Sequence, residues 1–186
     1  MVKSGENITL QIVRFLLDFW EIHRVRKITL NMFLNCIPDN FMSLLYSLEE
    51  KPLEMWDVKA EKGHVERVHD NDLKSLTIEI VGNHLCTTYI TCPSDPQNTL
   101  GIQFPFLFLS IKNLKKPFTF EILVLDDTGT RRRFSYNDNL PDTQIEECMG
   151  TRRLILKGGW NIIKLDLADM TRTAFGTTYV ETLRVQ

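Results

Sequence analysis

The apolar positions of this chain follow two different periods. From Asn7 to about Val25, Ile8, Ile12, Phe15, Leu16, Phe19 and Ile22 recur three or four residues apart, which predicts one amphipathic helix with an apolar face to cover. A second, short helix is predicted over "NFMSLLYSL", Asn40 to Leu48. Beyond it the period falls to about two, the repeat of a pleated strand. "SLTIEIVG" alternates Leu76, Ile78 and Ile80 with Thr77 and Glu79, and "HLCTTYITC" follows with β-branched and aromatic residues that suit a strand. "IQFPFLFLSI" is apolar on both parities, which predicts a strand covered on both faces, with Pro105 confined to an end, an edge or a bulge.

"FTFEILVLDDTGTRRRFSY" places Phe118, Phe120, Ile122 and Val124 on one face, and Asp126, Asp127 and Gly129 supply the turn of a β-hairpin. A second hairpin is predicted over "RRLILKGGWNIIKLDL", turning at Gly158 and Gly159. "ADMTRTAFG" predicts a short helix stopped by Gly176, and "TTYVETLRV" a final strand. Short strands, few helices and no βαβ rhythm define the expected fold: mostly β, an antiparallel β-sandwich or jelly roll with short helices and an added N-terminal amphipathic helix.

At 186 residues with 43% hydrophobic content the chain has material for one domain with a sizeable core. The formal net charge of -2 gives no reason to expect a nucleic-acid partner, whose binding rests on phosphate neutralisation. The apolar N-terminal window is interrupted by Arg14 and Asp18, which argues against a signal peptide or membrane span. Cys36, Cys86, Cys92 and Cys148 are too scattered for a disulfide framework and read as reduced thiols.

Catalytic, cofactor and metal residues are not expected. His64 and His69, five apart in "GHVERVHDND", match no zinc spacing. Cys86 and Cys92 share a parity but would lie nearly 20 Å apart on an extended strand of about 3.3 Å per residue, so both read as buried free thiols. No phosphate loop, nucleophile elbow or HExxH helix occurs, and "TCPSDP" lacks a placed histidine. Arg131 and Arg133 share one strand face while Arg132 shares the other with Phe134, so the tract is either a solvated edge or a docking contact for an acidic protein. Lys112, Lys115 and Lys116 are the other candidate contacts. Trp160 falls on the parity opposite Ile163, Leu165 and Leu167, and is either a wedge at the sheet end or an exposed platform. A glycan-binding module, which needs such exposed aromatic faces, is the alternative function; a hydrolase is a third.

Longer stretches are more specific: "SLLYSLEEKPLEMWD", "DNDLKSLTIEI", "CTTYITCPSDP", "IKNLKKPFTFEILVLDD", "RRRF" and "GWNIIKLDLADMTRTAFGTTYVETLRVQ". Together they resemble the cilia- and flagella-associated protein 20 family from Met32 to Gln186. The resemblance implies a non-enzymatic β-sandwich, without cofactor or small-molecule substrate, in the axoneme of motile cilia. Its implied partners are tubulin and other proteins at the inner junction of the doublet microtubule, with basal bodies, centrioles and the nucleus as further locations. It also implies two unequal parts: an N-terminal extension, 1–31, and a family domain, 32–186, lacking its usual C-terminal end. From Met32 onward 17 Lys or Arg stand against 21 Asp or Glu, an acidic balance in a family that tends to be basic.

Overall fold

The computed structural model describes residues 8–18, 41–137 and 144–186, with the backbone alone for 8–18, Phe41 and Met42. Its strands, in chain order, are β1 (Ile8–Asp18), β2 (Phe41–Tyr46), β3 (Asp57–Ala60), β4 (His64–Asp70), β5 (Ser75–Gly82), β6 (Thr88–Thr91), β7 (Phe106–Asn113), β8 (Thr119–Asp126), β9 (Arg131–Asn137), β10 (Gln144–Ile145), β11 (Met149–Arg153), β12 (Gly159–Asp166) and β13 (Tyr179–Val185). Among the described residues one helix, α1 (Leu167–Phe175), links β12 to β13. A six-stranded sheet runs β12-β7-β1-β5-β4, with β2 also paired to β1, and a five-stranded sheet runs β10-β11-β9-β8-β13. A two-stranded sheet, β3-β6, continues through a bridge from Cys92 to Val185 of β13. The mostly β sandwich is the expected one.

The core is the meeting of alternate faces. Leu107, Leu109 and Ile111 of β7 share a buried cluster with Phe120, Ile122 and Val124 of β8, Ile78 of β5 and Phe134 of β9. Every residue from Leu107 to Ile111 is buried, so the doubly apolar strand is covered on both faces, and Pro105 stands just before it, where no ladder N–H is needed. Trp56 closes one side of the cluster and donates its Nε1–H to the Leu44 carbonyl at 2.8 Å.

Four expectations are corrected. The helix predicted over Asn7–Val25 is, in its described part, strand β1; residues 19–25 lie outside the described residues. Its sequence carries both periods, since Ile8, Leu10 and Ile12 also alternate with Thr9 and Gln11. The context decides: as a strand, β1 satisfies the facing backbone groups of β5 and β7, which a helix would leave unpaired. The short helix over Asn40–Leu48 is likewise strand β2 from Phe41 to Tyr46, hydrogen-bonded to β1.

"RRLILKGGWNIIKLDL" is a crossover between sheets and not a hairpin. β11 pairs in parallel with β9, whereas β12 pairs with β7 in the other sheet. Leu154 and Leu156 pack on the core as the chain crosses, and Gly159, at φ 81°, re-aims it into β12. Finally, Cys86 is exposed; a turn from Asn83 to Thr87 shortens the strand, and of the expected pair of buried thiols only Cys92 is buried. Burial pushes the Cys92 thiol up to about 11.

Helix α1 is set by its ends. The Asp166 side chain accepts the Asp169 N–H at 2.9 Å, and Gly176, at φ 71°, sends its N–H back to the Arg172 carbonyl at 3.0 Å.

The close approach of Gly82 to Thr88 yields a first prediction. A Cβ on Gly82 would fall 2.1 Å from Thr88 Oγ1, while one on Gly158 meets nothing within 4 Å. Gly82→Ala is expected to lower unfolding free energy by about 1–3 kcal/mol in urea denaturation, and Gly158→Ala to change it by less than about 0.5 kcal/mol.

Candidate functional site

The charged groups of the sandwich divide into those that brace it and those it presents. The first brace is Asp70, at the end of β4 and 3% exposed. Its Oδ1 accepts the N–H groups of Asp72 at 3.0 Å and Leu73 at 2.9 Å and the Trp160 Nε1–H at 3.0 Å. Its Oδ2 takes the Lys112 ammonium at 2.5 Å, which also reaches Asp72 at 2.8 Å. The cluster ties β4, β7 and β12 together. Burial alone would raise the Asp70 pKa; the bonds from Lys112, Leu73 and Trp160 outweigh it and hold the carboxyl below its ordinary value. Burial would lower the Lys112 pKa, but Asp70 and Asp72 hold it above its ordinary value.

The second brace is the hairpin between β8 and β9. Asp126, 1% exposed, accepts the Thr128 N–H at 3.0 Å, the Thr128 hydroxyl at 2.6 Å and the Thr130 N–H at 2.9 Å on Oδ1, and Arg132 Nε–H at 2.7 Å on Oδ2. Arg132 also donates to the Glu147 carbonyl and lies 4.7 Å over the Phe175 ring of α1. Desolvation opposes the charge on Asp126, yet the donors from Thr128, Arg132 and Thr130 hold its pKa far below the usual carboxylate range. Next to it, Asp127 Oδ1 accepts the Thr178 N–H at 3.0 Å and docks the hairpin tip on the entry to β13.

The six basic candidates therefore separate. The Lys112 and Arg132 head groups are committed to internal carboxylates, with side chains 16% and 12% exposed. Arg131, Arg133 and Lys115 are exposed and Lys116 is half-buried; Arg133 keeps a loose contact to Glu121 at 3.9 Å. The parallel pairing of β11 with β9 sets Arg153 opposite Asn137, on the same outward alternation as Arg131 and Arg133. Arg153 was not among the sequence candidates because the predicted hairpin placed it beside β12. In the crossover that follows, Ile155 is 88% exposed.

Trp160 is half-buried and held by its N–H, with Lys112 Nζ 6.0 Å from its ring centre. It is a tie between β12 and the end of β4, and Trp56 is buried, so Trp56 offers no aromatic face of the kind a sugar site requires. An apolar cavity of about 270 Å³ opens beside Ile80, Tyr89, Ile111, Phe118 and Phe120; Cys86 and Glu121 reach its lining, and among the described residues no histidine does. His64 lies 3.3 Å from Glu66 and 3.8 Å from Glu79 on the solvent side of β4 and β5, where Glu66 and Glu79 face each other across the ladder. His69 is not part of that group.

These features define a class, a β-sandwich whose internal charges fasten strands together and whose outer face carries a short basic strip. The CFA20 domain model matches residues 32–186, and the chain belongs to the CFA20 domain family. It is 50% identical over 155 residues to "Cilia- and flagella-associated protein 20" of Chlamydomonas reinhardtii, covering 83% of this chain and 82% of that protein. The protein of the same name from Paramecium tetraurelia is 48% identical, at 83% and 81% coverage, and that from Caenorhabditis briggsae 41%, at 83% and 76%.

Proposed function

We propose that this protein is a non-enzymatic structural component of the ciliary axoneme, associated with tubulin at the inner junction of the doublet microtubule and supporting cilium organisation and motility. The observation that carries the reading is the 50% identity to a cilia- and flagella-associated protein across 155 residues, a match to a whole domain. The architecture suits such a part. Stiffness comes from the Asp70 cluster, which joins strands distant in sequence, and from the Asp126 cluster, which braces the β8–β9 hairpin, and a static bridge needs no tuned nucleophile.

The basic strip Arg131, Arg133 and Arg153 is the contact proposed for acidic tubulin surfaces, with Lys115 and Lys116 beside the β7–β8 turn as accessory charges; Lys112 and Arg132 act from within. Exposed charges of this kind govern association rate and salt dependence more than fold. The test is co-sedimentation with polymerised microtubules. The protein is expected to pellet with them at low salt and to be released as salt rises, and Arg131→Glu/Arg133→Glu/Arg153→Glu is expected to weaken binding at least tenfold while unfolding at the same denaturant concentration. Failure of the parent chain to co-sediment, or binding indifferent to the triple reversal, would count against this surface and its partner.

A further inference from the structure

The strand in the middle of the first sheet comes from outside the segment that defines the family. β1, Ile8–Asp18, precedes the matched residues 32–186, yet it lies between β5 and β7, both of which are inside the match. Residues Ile8 to Ile12 pair with Gly82 to Ile78 of β5, and residues between Gln11 and Asp18 pair with β7 from Lys112 to Phe106. Without an occupant, β5 and β7 would each present a row of unpaired N–H and C=O groups beside the fully buried Ile78, Leu107, Leu109 and Ile111. Such a gap in the centre of a core is not a viable resting state.

We propose that the lane between β5 and β7 is a strand-acceptor site filled by an exchangeable strand: Ile8–Asp18 in this chain, and in the relatives a stretch drawn from the part of their length outside the match. The flanking strands fall within the 50% identical region, so the relatives have the same lane to fill. The match covers 82% of the Chlamydomonas protein, and the part it leaves out exceeds the 11 residues of β1. Main-chain pairing to two neighbours supplies affinity that depends little on the donor's sequence, and alternate side chains set register. Strands of different sequence can therefore serve one lane.

The experiment starts from the full chain carrying a protease site within residues 19–40, cut after folding. The two pieces are separated in urea, and the larger is refolded alone, with a synthetic Ile8–Asp18 peptide, or with overlapping peptides tiling the unmatched part of the Chlamydomonas protein. Cooperative unfolding is expected to return with the Ile8–Asp18 peptide and with one of the tiled peptides, in a saturable manner. Leu10→Pro and Leu16→Pro peptides, which lack ladder donors, are expected to require at least tenfold higher concentration. The proposal is overturned if the larger piece refolds alone with the same transition, if no peptide restores it, or if Ile8–Asp18 restores it and no tiled peptide does.

Discussion

Asp126→Ala is expected to cost about 3–5 kcal/mol of folding stability, the range for removing one partner of a buried ion pair. The loss is large because Asp126 serves several donors at once. Two backbone N–H groups of the turn, the Thr128 hydroxyl and the Arg132 guanidinium all end on it. Truncation leaves the Arg132 cation at 12% side-chain exposure without its carboxylate, held among the described residues by the Glu147 carbonyl and the Phe175 ring. Asp126→Asn keeps an oxygen for the turn and should fall between the parent and the alanine variant. Arg132→Leu, which removes the stranded charge, should partly rescue Asp126→Ala, so that the double variant is more stable than the sum of the single losses predicts. Urea denaturation of the four proteins checks the cycle.

The pH dependence follows from the same geometry. Because the folded pKa of Asp126 lies below its unfolded value of about 3.9, its contribution is full above that value and is lost as pH falls through and below it. Stability of the parent chain should therefore drop steeply below about pH 4, and Asp126→Ala should flatten that limb.

Asp70→Ala is the second large effect, again expected at about 3–5 kcal/mol. It unfastens two strands and a turn: β12 loses the Trp160 Nε1–H acceptor, β7 the partner of Lys112, and the β4–β5 turn the acceptor of Leu73 N–H. Asp72 remains 2.8 Å from Lys112, but its carboxylate is 65% exposed and replaces only part of the pair. Removing the carboxylate should also free the indole, so Trp160 becomes more accessible to a collisional quencher in a variant carrying it as the sole tryptophan. The Asp70 contribution also falls away in acid, since its folded pKa is lowered. The Lys112 contribution runs the other way. Its folded pKa is raised, so it is present in full below the unfolded value of about 10.4 and lost as pH rises through the folded one.

Much of this was legible along the chain, and the exceptions share a cause. Asp126 and Gly129 announced their turn, and Gly176 its helix end, because each acts within a few residues of itself, whereas the tie from Asp127 to Thr178 spans 51 residues and left no local sign. The placing of Arg132 on the face opposite Arg131 and Arg133 followed from strand parity, while its commitment to Asp126 did not, and the sequence kept it among the candidate contacts. The Asp70 cluster was invisible because Lys112 and Trp160 stand 42 and 90 residues from it, and no local pattern couples them. Residues 8–18 were misread for a related reason. Their apolar spacing fits a helix and a strand equally, and the choice is made by two neighbours supplied far later in the chain. Arg153 joined the basic strip through a parallel pairing that a chain turning at Gly158 would not make.

The central claim, that this is a structural part of the axoneme, is tested most directly by expressing a tagged full chain in ciliated cells and fractionating the isolated cilia. The tag is expected to stay with the doublets through detergent extraction and to leave them at high salt, with loss of retention in the Arg131→Glu/Arg133→Glu/Arg153→Glu variant. Absence of the tag from axonemes that contain the cell's own cilia- and flagella-associated protein 20 would contradict it.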